Sequence, residues 1–236
     1  MIVSHSQLVL SPGAHLHHAI AAACETDLDT YGDTFRGAGW TKSQAHADLR
    51  YSVMLDLVRR PVSGRVTLLD IGCGASHLYD YMLRHGVSDV EYSGLDLSAK
   101  YLALSARKHP GVTYHQADLI EGTAQIPISD YAVLNGLFNY KGSASHDAMW
   151  SYVQAFLRRV APLARVGFAF NVMTKYLDWE REDLFFLPLD TMATFISQEV
   201  GRSFVIRHDY GLYEYTVYAY KDELRPQPQG SGQPAR

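Results

Sequence analysis

The chain has 236 residues, of which 47% are apolar and 19% charged, an ordinary composition for one large globular domain. Its net charge of -4 gives no sign of the broad basic face that nucleic-acid-binding proteins present. The two cysteines, Cys24 and Cys73, form no CxxC pair, which argues against a disulfide framework or a structural zinc site. Without a membrane-length apolar run or signal-peptide features, the sequence predicts a cytoplasmic protein.

Residues 1–62 are predicted to be mostly helical and to form a cap or lid. One helix is expected over about 14–28. A second is expected to continue to about Val58, because Thr41 and Gln44 have the spacing of a capping box and the apolar residues that follow recur with helical periodicity.

The region 63–224 is predicted to be an α/β domain, because short apolar strands alternate with amphipathic helices through most of it. This alternation predicts a doubly wound, Rossmann-like parallel sheet with ligands at the carboxyl ends of its strands. The predicted strands cover 66–71, 90–97, 112–119, 130–137 and 166–172, and the predicted helices cover 78–85, 99–109 and 146–163.

The end of this region departs from simple alternation. A helix over 189–200 precedes two strands, 204–208 and 213–220, which a short link around Gly211 connects. That spacing predicts an antiparallel hairpin that completes the sheet. The Pro- and Gln-rich residues 225–236 are predicted to be a disordered tail.

The turn after the first predicted strand reads DIGCGASH, and two glycines let a ligand approach its backbone. A dinucleotide site requires GxGxxG, but His77 occupies the third glycine position. Asp70, two residues before Gly72, suits a cationic ligand and would repel a pyrophosphate. The turn therefore favours S-adenosylmethionine (SAM), which carries an ammonium and a sulfonium and no phosphate.

Two further carboxylates end the second and third predicted strands. Asp96 lies 22 residues after Gly74, at the place where a carboxylate accepts hydrogen bonds from both hydroxyls of a ribose. Asp118 is placed to accept from an adenine amine, with the backbone N–H of Leu119 facing a ring nitrogen. Because the carboxyl ends of parallel strands share one rim, these side chains are predicted to line one site.

The segments LLDIGCGAS, GLDLS, HQADL and YAVLNGLFN together resemble the successive motifs of class I SAM-dependent methyltransferases. The resemblance covers about residues 64–221 and implies a seven-stranded sheet with an antiparallel final hairpin. It differs at Ser76, where the family motif often has a third glycine. It implies that the carbonyl of Asn135 contacts the methionine end of the cofactor. YGDTFRGAGW, residues 31–40, resembles a lid over the cofactor in a bacterial subgroup.

These arguments predict one cofactor-binding set for SAM. Its members are Tyr31, Arg36, Trp40, Asp70, Gly72, Cys73, Gly74, His77, Asp96, Leu97, Asp118, Leu119, Asn135 and Gly136.

The candidate catalytic bases are His208, near the end of a late strand, and His146, at the start of the helix after the fourth strand. No metal site is predicted, because no carboxylate or cysteine has a spacing that matches His15, His17 and His18. The predicted reaction is methyl transfer from SAM to an oxygen or nitrogen of a small molecule in a biosynthetic pathway, without nucleic-acid or membrane partners. An NAD-dependent oxidoreductase and a non-catalytic SAM-binding partner subunit remain as alternatives.

Overall fold

The computed structural model describes residues 16–38, 43–59, 64–122 and 124–221. The predictions for Trp40, Thr41 and the tail 225–236 lie outside these ranges. The helices are α1 (Leu16–Tyr31), α2 (Gln44–Leu55), α3 (His77–Arg84), α4 (Ala99–Lys108), α5 (His146–Val160), a short 3-10 helix (Ala161–Leu163) and α6 (Leu189–Glu199). The strands are β1 (Val66–Ile71), β2 (Val90–Asp96), β3 (Thr113–Gln116), β4 (Ser129–Leu134), β5 (Ala164–Met173), β6 (Phe204–Arg207) and β7 (Glu214–Tyr220).

The seven strands form one sheet in the order β3-β2-β1-β4-β5-β7-β6. The first five strands in this order are parallel to one another, and β7 is antiparallel to both β5 and β6. The doubly wound sheet and its antiparallel final hairpin are thus confirmed. Since β7 lies between β5 and β6, the hairpin places its second strand inside the sheet and its first strand at the edge.

Apolar packing covers both faces of the sheet, as expected when helices flank parallel strands. Along β7, Tyr215 and Val217 belong to the core on the α5 and α6 side. Tyr218 and Tyr220 belong to the core on the α2 and α3 side. Alternation along this strand therefore supplies both cores.

Two strands end three residues earlier than predicted, for local reasons. β3 stops at Gln116, and two residues later the Asp118 carboxylate accepts backbone N–H groups of Ile120 and Glu121 at 2.8 and 3.0 Å, which turns the chain. β4 stops at Leu134, since Gly136 has a φ of 78° that an extended strand does not allow.

The start of α2 also differs from the prediction. Ser43 is the N-cap, and its hydroxyl accepts the backbone N–H of His46 at 3.3 Å. The Gln44 side chain, predicted to close a capping box with Thr41, instead donates to Asp48 at 2.7 Å. Gln44 is thus the first helical residue, whereas a capping box with Thr41 requires it to be the third, so that prediction was wrong.

Helix α1 lies against the carboxyl-end rim of the sheet. The backbone oxygen of Cys24 lies 2.9 Å from the hydroxyl of Tyr101 in α4, and Glu25 accepts the hydroxyl hydrogen bond of Ser98. Tyr101 also reaches the backbone oxygen of Gly37 at 2.7 Å, beyond the end of α1. None of the helices in the described ranges combines the length and the hydropathy of a membrane span.

Candidate active site

A cavity opens at the carboxyl ends of β1, β2 and β4, beneath α1. It brings together eleven residues of the predicted cofactor-binding set. They are Asp70, Gly72, Cys73, Gly74, His77, Asp96, Leu97, Asp118, Leu119, Asn135 and Gly136.

The floor of the cavity is the glycine-rich turn between β1 and α3. Gly72 and Gly74 have φ values of 73° and 51°, which glycine adopts without a steric penalty. Ser76 also has a positive φ, 58°, so this position keeps a glycine-like backbone where the family motif often has glycine. Its hydroxyl lies 2.9 Å from that of Tyr114, and Ser76 is fully buried. The turn thus keeps its shape with Ser76 in place of the glycine that the family motif often has.

Asp70 is a buried carboxylate at the end of β1, with 4% of its surface exposed. Burial raises its pKa from 3.8 to about 7, although the hydroxyl of Tyr92, donating at 2.8 Å, favours the ionised form. The nearby charge of Asp96 also raises the pKa of Asp70. A cationic ligand would offset the cost of ionising this buried side chain, because it favours the ionised carboxylate.

Asp96 connects the end of β2 to the glycine-rich turn. One carboxylate oxygen accepts the N–H of Gly74 at 2.9 Å, and the other accepts the N–H of Ser98 at 2.8 Å. Burial raises the pKa of Asp96, and these backbone donors oppose that shift. The backbone N–H of Leu97 also opposes the rise. A carboxylate has about four acceptor positions, so room for a ribose hydroxyl remains after these backbone bonds.

Asp118 has a different hydrogen-bonding state from Asp96. One oxygen accepts two backbone N–H groups, and the other lies 2.9 Å from Nε2 of His17 and 3.1 Å from Nε2 of His18. Burial alone would raise the pKa of Asp118, but the backbone N–H of Glu121 and the side chain of His17 outweigh it and lower that pKa. All four acceptor positions are therefore engaged. An adenine amine can bind this carboxylate only if a histidine turns away.

The end of β4, the strand that pairs with β1, provides another part of the cavity lining. The N–H of Gly136 donates to Oδ1 of Asn171 at 2.7 Å, which fixes the chain where it leaves the strand. The side chain of Asn135 is buried, and neither its amide nitrogen nor its amide oxygen has a partner among the described residues. A buried amide without partners is costly, so a ligand that supplies partners would bind there favourably.

His77, which occupies the third glycine position of a dinucleotide motif, contacts the segment that follows α1. Its Nε2 lies 2.7 Å from Asp33, and Lys108 lies 2.9 Å from the other oxygen of the same carboxylate. The hydrogen bond from His77 is the main reason why the pKa of Asp33 falls to about 2. The segment predicted to be a lid is therefore held to α3 and α4 by a charged contact.

Other residues of that predicted lid lie away from the cavity. Arg36 donates to the hydroxyl of Tyr31 at 2.8 Å, and its guanidinium lies 3.7 Å from the centre of the Tyr31 ring. Neither residue lines the cavity, so their predicted contact with the cofactor requires a movement of this segment.

The two predicted bases, His146 and His208, also lie away from the cavity. Nε2 of His146 is 2.9 Å from the backbone oxygen of Phe186, which occupies it as a structural donor. His208 is exposed, and its ring lies 6.3 Å from the ring of Tyr176. The structure therefore gives neither histidine the reach that a general base requires.

Sequence reasoning did not find several residues that line the cavity. Among them are Ile20 of α1, Tyr51 of α2, Tyr101 of α4 and Tyr140, which follows β4. Tyr51 is 2% exposed and Tyr140 is 9% exposed, so both look like ordinary core residues in the sequence. Ile20 and Tyr51 reach the site through the tertiary packing of α1 and α2, which no local sequence pattern specifies.

The lining chemistry fits SAM better than a dinucleotide. Among the described residues that line the cavity there are three Asp side chains and no Lys or Arg. A pyrophosphate needs cationic or helix N-terminal donors, whereas a sulfonium and an ammonium favour carboxylates. The positive φ values of Gly72 and Gly74 and the buried amide of Asn135 fit the same ligand.

Comparison with known proteins agrees with this geometry. No known protein-family profile matches the chain. The protein named "Putative methyltransferase Rv1506c", from Mycobacterium tuberculosis, is 32% identical over 155 residues, covering 64% of this chain and 91% of the relative.

Two solved structures share the fold at low identity. Magnesium protoporphyrin IX methyltransferase from Synechocystis, solved with SAM, has a TM-score of 0.61 and 14% identity, covering 90% of this chain and 100% of its own. Human N-acetylserotonin methyltransferase, in complex with SAM, has a TM-score of 0.58 and 12% identity, covering 89% of this chain and 60% of its own. Together with the curated relative and the motifs along the rim, they show that this chain belongs to the class I SAM-dependent methyltransferases.

Proposed function

We propose that this methyltransferase acts on an oxygen or nitrogen atom of a small molecule in a biosynthetic pathway. The observation that carries the proposal is the mixed polar and apolar lining of the cavity. The buried amide of Asn135, which has no partner among the described residues, shares this lining with apolar and aromatic side chains. Ile20, Leu137 and Tyr140 line the cavity, and α1 covers its rim. A small acceptor fits beneath such a cover, whereas a folded macromolecule does not.

The charge distribution supports the same class of acceptor. The chain carries a net charge of -4, and the described cavity lining has no Lys or Arg to contact phosphates of a nucleic acid. The solved structures named above are methyltransferases whose names specify small molecules, a magnesium porphyrin and N-acetylserotonin. Cys24 and Cys73 are both free thiols, which supports a reducing compartment such as the cytoplasm.

In this proposal, the chain contributes mainly position. SAM supplies an activated methyl group on a sulfonium, which is already a good leaving group. Asp96 holds the ribose and Asp70 attracts the positive charge. The apolar wall excludes water from the reacting atoms. The acceptor atom would attack with a lone pair, and its proton would leave to water after transfer, so a base would be required only for an acceptor that must lose its proton earlier.

The proposed parts of the chain follow from the same geometry. Residues 63–224 would form the methyltransferase domain, and residues 1–62 would form a cap that closes over the acceptor. Support comes from the contacts of Cys24 and Glu25 with α4 and its N-cap, and from the contact of Asp33 with α3.

A library of small oxygen and nitrogen acceptors, incubated with SAM carrying a labelled methyl group, tests the function. We expect label in at least one small product, and a loss of turnover of at least about tenfold in Asn135→Ala, because about one to two hydrogen bonds to ligand disappear. The control is Asp178→Asn, a substitution on the exposed loop after β5. Label transfer only to bulk RNA or protein would contradict the proposed acceptor class. SAM binding without transfer to any acceptor would favour the partner-subunit alternative.

A further inference from the structure

Four potential metal ligands meet between α1 and the turn that follows β3. Their ligand atoms all lie within 4.8 Å of one another. We call this group the His–carboxylate cluster; its members are His17, His18, Asp118 and Glu121.

The distances within the cluster are close to those between ligands of one ion. Nε2 of His17 and Nε2 of His18 lie 2.9 and 3.1 Å from the same oxygen of Asp118, and Nε2 of His18 lies 3.8 Å from Glu121. Neighbouring ligands of a tetrahedral Zn²⁺ with bonds of about 2.0 Å are about 3.3 Å apart. The measured spacings lie on both sides of that value, so small side-chain rotations bring the donors into place.

The backbone already orients the central ligand. Ile120 and Glu121 donate their N–H groups to the Asp118 oxygen that faces away from the histidines, at 2.8 and 3.0 Å. Such outer contacts hold a ligand in place around metal ions. His17 is 8% exposed, so one imidazole lies inside the protein, while His18 and Glu121, at 47% and 41%, leave a path from solvent.

We propose that the His–carboxylate cluster binds a divalent transition-metal ion, and that Zn²⁺ is the best match to its donors. Two imidazoles and two carboxylates favour Zn²⁺ over Mg²⁺ or Ca²⁺, which prefer all-oxygen sites. The ion replaces the contacts between the histidines and Asp118 and leaves the imidazoles neutral and the carboxylates ionised.

The ion would join elements that are distant in sequence, since His17 and Asp118 are 101 residues apart. It would tie α1, which covers the cavity, to the turn beside the predicted adenine position. His17 and Asp118 both line the cavity, so the metal would form part of its wall. This inference does not depend on the acceptor or on turnover.

The test uses full-length protein without a histidine tag, stripped with a chelator and then titrated with Zn²⁺ in the absence of SAM. We expect about one Zn²⁺ per chain by equilibrium dialysis and elemental analysis. At a free Zn²⁺ concentration about 100-fold above Kd, the melting temperature of the protein should rise by about 5 to 10 °C.

His18→Ala and Glu121→Ala locate the ion, since both side chains are largely exposed and their removal does not threaten the fold. Each should weaken Zn²⁺ binding at least about tenfold, as loss of a ligand or its support does. The control is His85→Ala, an exposed histidine beside Asp48 on another part of the surface. Circular dichroism without metal confirms that each variant is folded.

Three results would overturn the proposal. They are no Zn²⁺ binding by the folded protein, undiminished binding by both variants, and a preference for Mg²⁺ over Zn²⁺. SAM titration of the same metal-free protein separates this result from the proposed function, because SAM binding without metal binding would refute only the metal site.

Discussion

Replacing Asp70 with Asn should change how stability depends on pH. Asp70 is 4% exposed and burial raises its pKa from 3.8 to about 7. Between these values the unfolded chain releases a proton that the folded protein retains. The free energy of unfolding of the ligand-free protein therefore falls as pH rises from about 4 to about 7, and this contribution levels off above that range.

The Asp70→Asn variant lacks this titration and keeps nearly the same side-chain shape. From pH 5 to pH 8, the wild type should lose about 3 kcal/mol of unfolding free energy relative to the variant, since each pKa unit corresponds to about 1.4 kcal/mol. Urea unfolding of both proteins at the two pH values measures the difference. Asp178→Asn, a change at an exposed carboxylate, controls for the general effect of one lost charge.

The same substitution should affect cofactor binding in the opposite sense. In the wild type, SAM affinity should rise as pH increases towards 8, because Asp70 ionises beside a cationic ligand. The variant should show a flat profile and bind about 10- to 100-fold more weakly at pH 8, the equivalent of losing one hydrogen bond to a charged group. Parallel stability curves for wild type and variant, or identical pH profiles of SAM affinity, would refute the role given to this carboxylate.

Two further substitutions test the turn and the packing of α2. Gly72→Ala should lower the free energy of unfolding by about 1 to 2 kcal/mol, because the φ of 73° disfavours a Cβ. It should also weaken the binding of SAM in a titration, because that Cβ would lie 2.6 Å from Leu137. Unchanged stability and affinity would show that the turn relaxes. Arg50→Met should cost about 3 to 5 kcal/mol in urea unfolding, since it leaves Glu214 buried at 1% exposure without its bidentate partner. Arg84→Met, at an exposed ion pair, should cost less than about 1 kcal/mol, and equal costs would contradict the reasoning.

The parts that sequence predicts well depend on local signals. The strand-to-helix turn at Gly72 and Gly74 and the carboxylate of Asp96 follow from short-range spacing, and the structure places all three in one cavity. The hairpin of β6 and β7 follows from the spacing of two strands around a glycine-containing link. Its strand order within the sheet does not, because no local pattern specifies which strand of a hairpin pairs with β5.

The remaining features depend on contacts between distant segments. No periodicity shows that His17 and His18 reach Asp118, so the sequence predicts no metal site although a carboxylate lies about 3 Å from both rings. The same limitation applies to the choice of His146 and His208 as bases. A position near a strand or helix end suggests reach into the site, but the tertiary packing directs one ring to a carbonyl and the other to solvent.

A crystal structure of the protein with S-adenosylhomocysteine tests the central claim most directly. We expect both ribose hydroxyls within about 3.2 Å of the Asp96 carboxylate, the amino-acid portion beside Asp70 and Gly72, and the adenine beside Leu119. The product sulfur should lie on the side of the cavity lined by Asn135. A ligand bound elsewhere, or a ribose without contact to Asp96, would contradict the account.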